Sequence, residues 1–155
     1  MKLKAVASVV ALCFVAVAIC FAADAFTGTW KLNEAKSKLG PGGGKNTTVI
    51  YETTGDNVKV IIDGTDDKGA PTHSEWTGKF DGKAYAVTGN PGEDTRAVRK
   101  ISDRVLTFTV KKGGKIIETG RIVVSSTGKT RTVTAHSTDA KGNKITSIAV
   151  YDKQA

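Results

Sequence analysis

VLTFTVKKGGKIIETGRIVVS, residues 105–125, shows in one stretch how this chain is built. Two runs rich in Val, Ile and Thr flank the pair Gly113-Gly114, and glycine accepts the positive φ that a tight hairpin turn needs. In the first run Leu106 and Phe108 alternate with threonines, so one face is apolar and the other polar. The stretch therefore predicts two antiparallel strands of a sheet that has one face towards water.

The same pattern continues in both directions along the chain. Short turns rich in Gly, Asp and Asn separate the runs, as at Gly55-Asp56 and Asp81-Gly82. Antiparallel neighbours need only such short turns, whereas parallel strands need long crossovers. Ten strands are predicted, at residues 26–32, 46–53, 57–63, 72–79, 84–88, 96–101, 105–110, 116–125, 130–138 and 144–151.

A sheet with one apolar face must bury that face against something, and closing the sheet on itself does so without leaving an edge. We therefore predict an all-β fold, an antiparallel up-and-down meander of about eight to ten strands closed into a barrel. Only residues 34–39 look helical, because Asn33 can cap a helix and the glycine-rich segment 40–44 ends it. One short helix is expected after the first strand.

The N-terminal segment is typical of a signal peptide. Lys2 and Lys4 precede an apolar or small run at residues 5–23, and small residues allow cleavage after Ala25, Ala23 or Ala22. We expect residues 1–25 to be removed on export and residues 26–155 to form one periplasmic or secreted domain. A retained anchor is the alternative, since the apolar run approaches the roughly 20 residues that cross a bilayer.

Composition limits the remaining possibilities. Cys13 and Cys20 are the only cysteines and both lie in the leader, so the exported domain cannot use the disulfides on which many secreted domains rely. The chain has 39% hydrophobic residues, 17 glycines and a net charge of +8. These values exclude a disordered chain, a collagen-like chain and a membrane helix bundle.

Both ends of the predicted domain resemble a known superfamily. FTGTWKL, residues 26–32, resembles the opening strand of the calycins, which are the lipocalins and fatty-acid-binding proteins, and contains their Gly-x-Trp signature as Gly28 and Trp30. VYDK, residues 150–153, resembles the closing strand of the fatty-acid-binding branch. In layout the similarity covers residues 26–155, and it is nearest to small secreted bacterial proteins described as lipocalin-like.

The resemblance implies a single lipocalin-like β-barrel, monomeric, with Trp30 inside its closed end. It also implies that the barrel holds a small apolar or amphipathic molecule, such as a lipid. The chain departs from the family in two ways. One short helix stands where fatty-acid-binding proteins have a helical lid, and the last strand lacks the arginine that usually lies over the tryptophan, a place left to Arg121 or Arg131.

Candidate ligand-binding residues are the large aromatics of the strands and one arginine for a charged head group. We expect Arg121 to supply the charge, with Arg96 and Arg99 as the alternatives. An ordinary packed core, with no cavity, is the competing interpretation of the aromatic residues. The predicted set is Tyr51, Trp76, Tyr85, Phe108, Arg121 and Tyr151.

Catalytic and metal-binding patterns are weak. His73 and Glu75 point the same way on a strand, but the only other histidine is His136 and no Gly-x-Ser-x-Gly elbow is present. Gly128-Lys129-Thr130 lacks the glycine of a phosphate-binding loop, because position 123 is valine. We therefore expect no enzyme activity, no metal site and no cofactor.

The distribution of charge along the chain suggests an alternative function. Residues 96–121 contain eight basic residues and only two acidic ones. Nucleic acid is not expected as a partner for an exported domain without a binding motif. Two hypotheses remain: a barrel that binds a small molecule, and a ligand-free structural barrel that presents the basic edge 96–121 to an anionic envelope component or a protein partner. Neither needs a stable membrane anchor after cleavage.

Overall fold

The computed structural model describes residues 24–155, so the predicted signal peptide lies almost entirely outside the described residues. Ten strands follow one another, and each overlaps a predicted one. Their bounds are β1 Gly28–Leu32, β2 Lys45–Thr54, β3 Asn57–Thr65, β4 Pro71–Gly78, β5 Asp81–Thr88, β6 Thr95–Ser102, β7 Val105–Lys112, β8 Lys115–Val124, β9 Thr130–Thr138 and β10 Lys144–Lys153.

The strands form one closed antiparallel barrel in which each strand pairs with the next along the chain. The first strand also pairs with the last, with Trp30 opposite Lys153 and Leu32 opposite Tyr151. Gly113 (φ 55°) and Gly114 (φ 75°) both adopt the left-handed conformation of the β7–β8 turn. The predicted all-β meander barrel is confirmed.

One end of the barrel, which we call the closed end, is filled with aromatic side chains. Trp30 is completely buried and its indole N–H donates to the carbonyl of Phe26 at 2.8 Å. The ring of Phe26 packs against those of Tyr51 and Phe80, with centroids 6.3 and 6.1 Å away. Trp30 therefore lies inside the barrel, where the Gly-x-Trp motif predicts it.

The cation over Trp30 comes from the last strand. Lys153 Nζ lies 5.1 Å from the centroid of the Trp30 ring, within the range of a cation–π interaction. Arg121 is exposed and Arg131 lies between two tyrosines, so neither takes this position. The expectation of an arginine there is wrong, because Lys153 is directly opposite Trp30 in the barrel-closing pair.

The predicted helix is shorter than expected. A single 3-10 turn spans Glu34–Lys36, capped by Asn33, whose side chain accepts from the N–H of Lys36 at 3.2 Å. The helix cannot continue, because Ser37 is extended and Lys38 forms a bridge with Ile148 of β10. Within residues 24–155 no helix is long and apolar enough to cross a membrane.

Candidate ligand-binding site

The barrel interior contains two connected spaces. A cavity of about 80 Å³, the inner cavity, lies among the side chains of the core. A larger space of about 650 Å³, the mouth, occupies the end of the barrel where β2 and β4 begin, opposite the closed end. Four residues that line both spaces form the neck between them: Asn46, Ile62, Arg96 and Glu118.

Arg131 of β9 provides the charge of the inner cavity. Its side chain is only 4% exposed, and its Nη2 donates to the hydroxyl of Tyr51 at 2.9 Å. The guanidinium carbon lies 5.2 Å from the Tyr51 ring and 4.8 Å from the Tyr151 ring. Guanidinium stacks well on aromatic faces and stays charged when buried. The two tyrosines therefore hold a permanent cation inside the barrel.

The hydrogen-bonding capacity of Arg131 is only partly used. Its Nε and Nη1 have no hydrogen-bond partner among the residues that the structure describes. A buried donor without a partner costs roughly 1–3 kcal/mol, and more when the group is charged. Arg131 lines the inner cavity, so an acceptor that reaches these donors from the cavity supplies the missing hydrogen bonds.

Tyr151 forms a second polar wall of the inner cavity. Its hydroxyl donates to the carbonyl of Asn46 at 3.0 Å, which ties β10 to the start of β2. Burial raises the pKa of Tyr151 above its usual value, while the charge of Arg131 opposes the rise. The hydroxyl is therefore neutral at physiological pH and keeps its proton as a donor.

The neck contains a buried ion pair. Glu93 is 5% exposed, and Arg96 Nη2 donates to its carboxylate at 2.8 Å. The amide of Asn90 also donates to Glu93, at 2.9 Å, and the indole N–H of Trp76 donates to the carbonyl of Arg96 at 3.0 Å. These bonds fix the Arg96 guanidinium at the junction of the inner cavity and the mouth.

Glu118 is the other acid of the neck. Burial raises its pKa, the charge of Arg96 lowers it, and the negative charge of Glu93 raises it further. Arg96 is occupied by Glu93, and no ion pair connects Glu118 to any residue in 24–155. The neck thus combines an ion pair, in which Arg96 Nε has no partner among the described residues, with an acid that forms no ion pair there.

Four of the six predicted site residues line the inner cavity: Tyr51, Trp76, Phe108 and Tyr151. Tyr85 does not. Its ring packs edge-on against Trp76, with centroids 5.8 Å apart, and its hydroxyl donates to Asp81 at 2.9 Å. The strands β4 and β5 pair through two residue pairs only, and the Tyr85 ring lies beside Gly78 in the wall between them.

The predicted position of Arg121 in the ligand-binding site differs from its position in the structure. Its side chain is exposed on the outer face of β8, because strand residues alternate and its neighbour Ile122 points inward. Arg131, which was not among the predicted ligand-binding residues, is the arginine of β9 that lines the inner cavity. It shares the apolar face of its strand with Val133, and both line the inner cavity. That alternation was the available signal, whereas the local density of positive charge was misleading.

The basic window 96–121 is divided between different surroundings. Arg96 is inside the neck, bound to Glu93, while Lys100 pairs with Asp103 at 3.2 Å and Lys112 pairs with Asp94. The exposed residues Arg99 and Arg121 flank Thr107 across neighbouring strands. The predicted basic edge is therefore present only in part on the outer surface.

The two histidines are separate. His73 Nδ1 lies 2.6 Å from Asp63 Oδ1, and its Nε2 lies 3.5 Å from Glu75, at the rim of the mouth. His136 contacts Thr146 at 3.0 Å. Within residues 24–155 no cluster of three or more His, Cys, Asp or Glu residues is arranged to hold a metal ion.

Comparisons with known proteins support the fold. No protein-family model matches the chain, and no curated protein matches it. The structure of EF1p2_mFAP2b bound to DFHBI has a TM-score of 0.50 and 14% identity, over 86% of this chain and 97% of that one. A redesigned beta barrel, b11L5F_LGL, has a TM-score of 0.47 and 16% identity, over 88% and 98%. The first likeness shows the same ten-strand barrel fold and nothing finer.

Proposed function

We propose that this protein is an exported lipocalin-like barrel that binds one small amphipathic molecule, with an anionic or acceptor group of the ligand on Arg131. The observation that carries the proposal is the pair of unpartnered donor nitrogens of Arg131 in the wall of the inner cavity. A carboxylate is the natural complement of a guanidinium, since the charged hydrogen bonds between them are short and strong.

The size of the two spaces limits how the ligand lies. The inner cavity, at about 80 Å³, is smaller than the roughly 300–1,000 Å³ of sites that enclose a drug-sized molecule. A head group fits there, and the rest of the molecule extends through the neck into the mouth of about 650 Å³. Val60, Ile62 and Val98 offer the apolar part of the ligand a surface on the way.

Two further points belong to the proposal. EF1p2_mFAP2b, which shares the fold, contains DFHBI in its structure, which supports the capacity of such a barrel for a small ligand. We propose binding rather than catalysis, because the inner cavity is lined by no histidine, cysteine or serine. Export through the leader at residues 1–25 places the binding site in the periplasm or outside the cell.

The test begins with the full chain produced in a bacterial host and recovered from the periplasm or medium. Native and denaturing mass spectra are compared. The proposal expects a mass increment that is lost on denaturation, or one that appears after incubation with caprylate. A mass that stays bare in both cases contradicts it and favours the ligand-free barrel with outer residues Arg99 and Arg121.

Two arginine variants make the test specific. Arg131→Met is expected to abolish caprylate binding in isothermal titration calorimetry, because it removes the donors of the inner cavity. Arg121→Met is the matched control, since it removes an equal charge from the outer face and is expected to leave the affinity unchanged. Equal losses in both variants would show that net charge, and not the cavity, attracts the ligand.

A further inference from the structure

We propose that Glu118 makes the cavity selective for a bipolar ligand, which carries a carboxylate for Arg131 at one end and a cationic donor such as an ammonium group at the other. The inference rests on the proposed function and deepens it by naming the chemical class of the ligand. Arg131 alone would accept any carboxylate, whereas Glu118 adds a second and opposite requirement.

The first support is position. Glu118 lies on β8 opposite Val110 of β7 and Ser137 of β9, while Arg131 pairs with Val124 at the other end of β8. Six residues of strand, roughly 20 Å, separate the backbone positions of the two charged residues. Glu118 lines the mouth and the inner cavity, whereas Arg131 lines the inner cavity alone. A ligand with its head on Arg131 therefore extends past the carboxyl of Glu118.

The second support is charge balance. Glu118 faces Val110 and Ser137 on its neighbouring strands, and these carry no charge. Arg96 and Glu93 face it across the neck as an ion pair, and their charges act on Glu118 in opposite directions. Tyr151 faces it from β10 as a neutral hydroxyl. Arg131 and Glu118 are thus two uncompensated charges of opposite sign in one cavity.

A ligand of matching polarity satisfies both charges at once. Its carboxylate accepts from Nε and Nη1 of Arg131, and its ammonium group donates to the oxygens of Glu118. A plain fatty acid satisfies only Arg131 and leaves Glu118 without a counter-ion beside an apolar chain. Burial raises the pKa of Glu118, and a bound ammonium group lowers it again, so binding favours the ionised carboxylate.

The test uses pairs of probes that differ only in the terminal amine. The plain acids are butyrate, caproate and caprylate, and their partners are γ-aminobutyrate, ε-aminocaproate and ω-aminocaprylate. The affinity of each is measured by calorimetry on the full chain as exported, in the wild type and in Glu118→Gln. The glutamine variant keeps the size of the side chain and removes its charge, so it is the matched control for shape.

At one chain length the amino acid is expected to bind about tenfold more tightly than its plain partner, a difference of about 1.4 kcal/mol. In Glu118→Gln that preference is expected to disappear or reverse, because the ammonium group is then desolvated without a counter-ion. The wild-type preference also declines as the pH is lowered and Glu118 takes up a proton. The plain acids bind the variant at least as well as the wild type.

Each other outcome overturns the inference. If the plain acid binds more tightly than its amino partner at every length, or if Glu118→Gln keeps the preference, Glu118 does not select the ligand. In that case the proposed function still stands, provided that the plain acids depend on Arg131. If none of the six probes binds either protein, this inference fails, and the native mass spectra decide separately whether the proposed function fails with it.

Discussion

The two ends of the barrel differ in the side chains that they bury. The closed end is filled with aromatic side chains, and the buried Trp30 has its N–H bonded and its ring under Lys153. Beyond these aromatic side chains the wall of the inner cavity holds Arg131, which pairs across the sheet with Val124, and the neck near the open end holds Arg96. Each of the two arginines has an unpartnered nitrogen among the described residues. Aromatic rings therefore fill one end of the barrel, whereas two arginines with unused donors line the space beyond it.

The strand β8 contributes inward side chains to both parts of the barrel. The inward residues of β8 run from Val124 and Ile122 through Gly120 to Glu118. The first two are buried apolar side chains, and the last is an acid without a counter-ion in the described chain. The same alternation therefore supplies core packing at one end of the strand and an acidic group of the neck at the other.

The largest expected effect is at the closed end. Trp30→Ala removes a completely buried ring and its hydrogen bond to Phe26, and should lower the free energy of unfolding by about 3–5 kcal/mol. Urea denaturation measures it. Trp30→Phe keeps most of the apolar volume and should lose clearly less. A loss below 1 kcal/mol for Trp30→Ala would mean that the closed end does not dominate stability.

The substitution Arg131→Met should change ligand binding more than stability. It removes a buried cation with unpartnered donors, together with its hydrogen bond to Tyr51 and its contacts with two tyrosine rings. The loss in the free energy of unfolding should therefore be smaller than that of Trp30→Ala. The same variant should lose the ligand. Thermal unfolding without ligand measures the first effect. A strong destabilisation would place Arg131 in the structural core and weaken the contrast between the two ends.

Glu118→Gln should stabilise the protein by an amount that depends on pH. Burial raises the pKa of Glu118 above the usual value of 4.5, so the folded state holds the proton more strongly than the unfolded state. The cost of this group is absent below pH 4.5, grows as the pH rises from 4.5 to the folded-state pKa, and is constant above it. The gap between the variant and the wild type should therefore widen from pH 4 to pH 8. A gap that is constant with pH would contradict the burial of this carboxyl.

The smallest effect is expected at the rim of the mouth. The hydrogen bond to Asp63 raises the pKa of His73 above 6.5, burial opposes the rise, and a bond to Glu75 adds to it. The stabilisation is complete below pH 6.5 and is lost as the pH rises through the folded-state pKa. Titration of the imidazole signals by NMR should show a raised pKa that Asp63→Asn lowers. A His73 pKa that Asp63→Asn leaves unchanged would contradict the prediction.

Most of the fold was predictable because its signals are local. Alternation assigns the faces of strands such as β7, and glycine pairs such as Gly113-Gly114 mark turns that only glycine adopts easily. The length of the helix was overestimated because Lys38, instead of continuing the helix, forms a bridge with Ile148, which is distant in sequence. Propensity alone cannot register such a contact.

The site was less predictable because depth inside a barrel depends on strand register. Arg131 and Arg121 both look like candidates until alternation places one inside and the other outside. The pairing of Glu93 with Arg96 arises from the turn before β6, which has no repeating pattern. Glu118 was visible as a polar residue on an apolar face, and that inconsistency was its signal.

The pairing of β1 with β10 bears on the order in which the protein can fold. Every other pair joins strands that are neighbours along the chain, so hairpins can form as the chain lengthens. The last pair joins Trp30 to Lys153, near opposite ends of the domain. A chain that is synthesised from its N-terminus therefore cannot close its barrel until the final strand has been made.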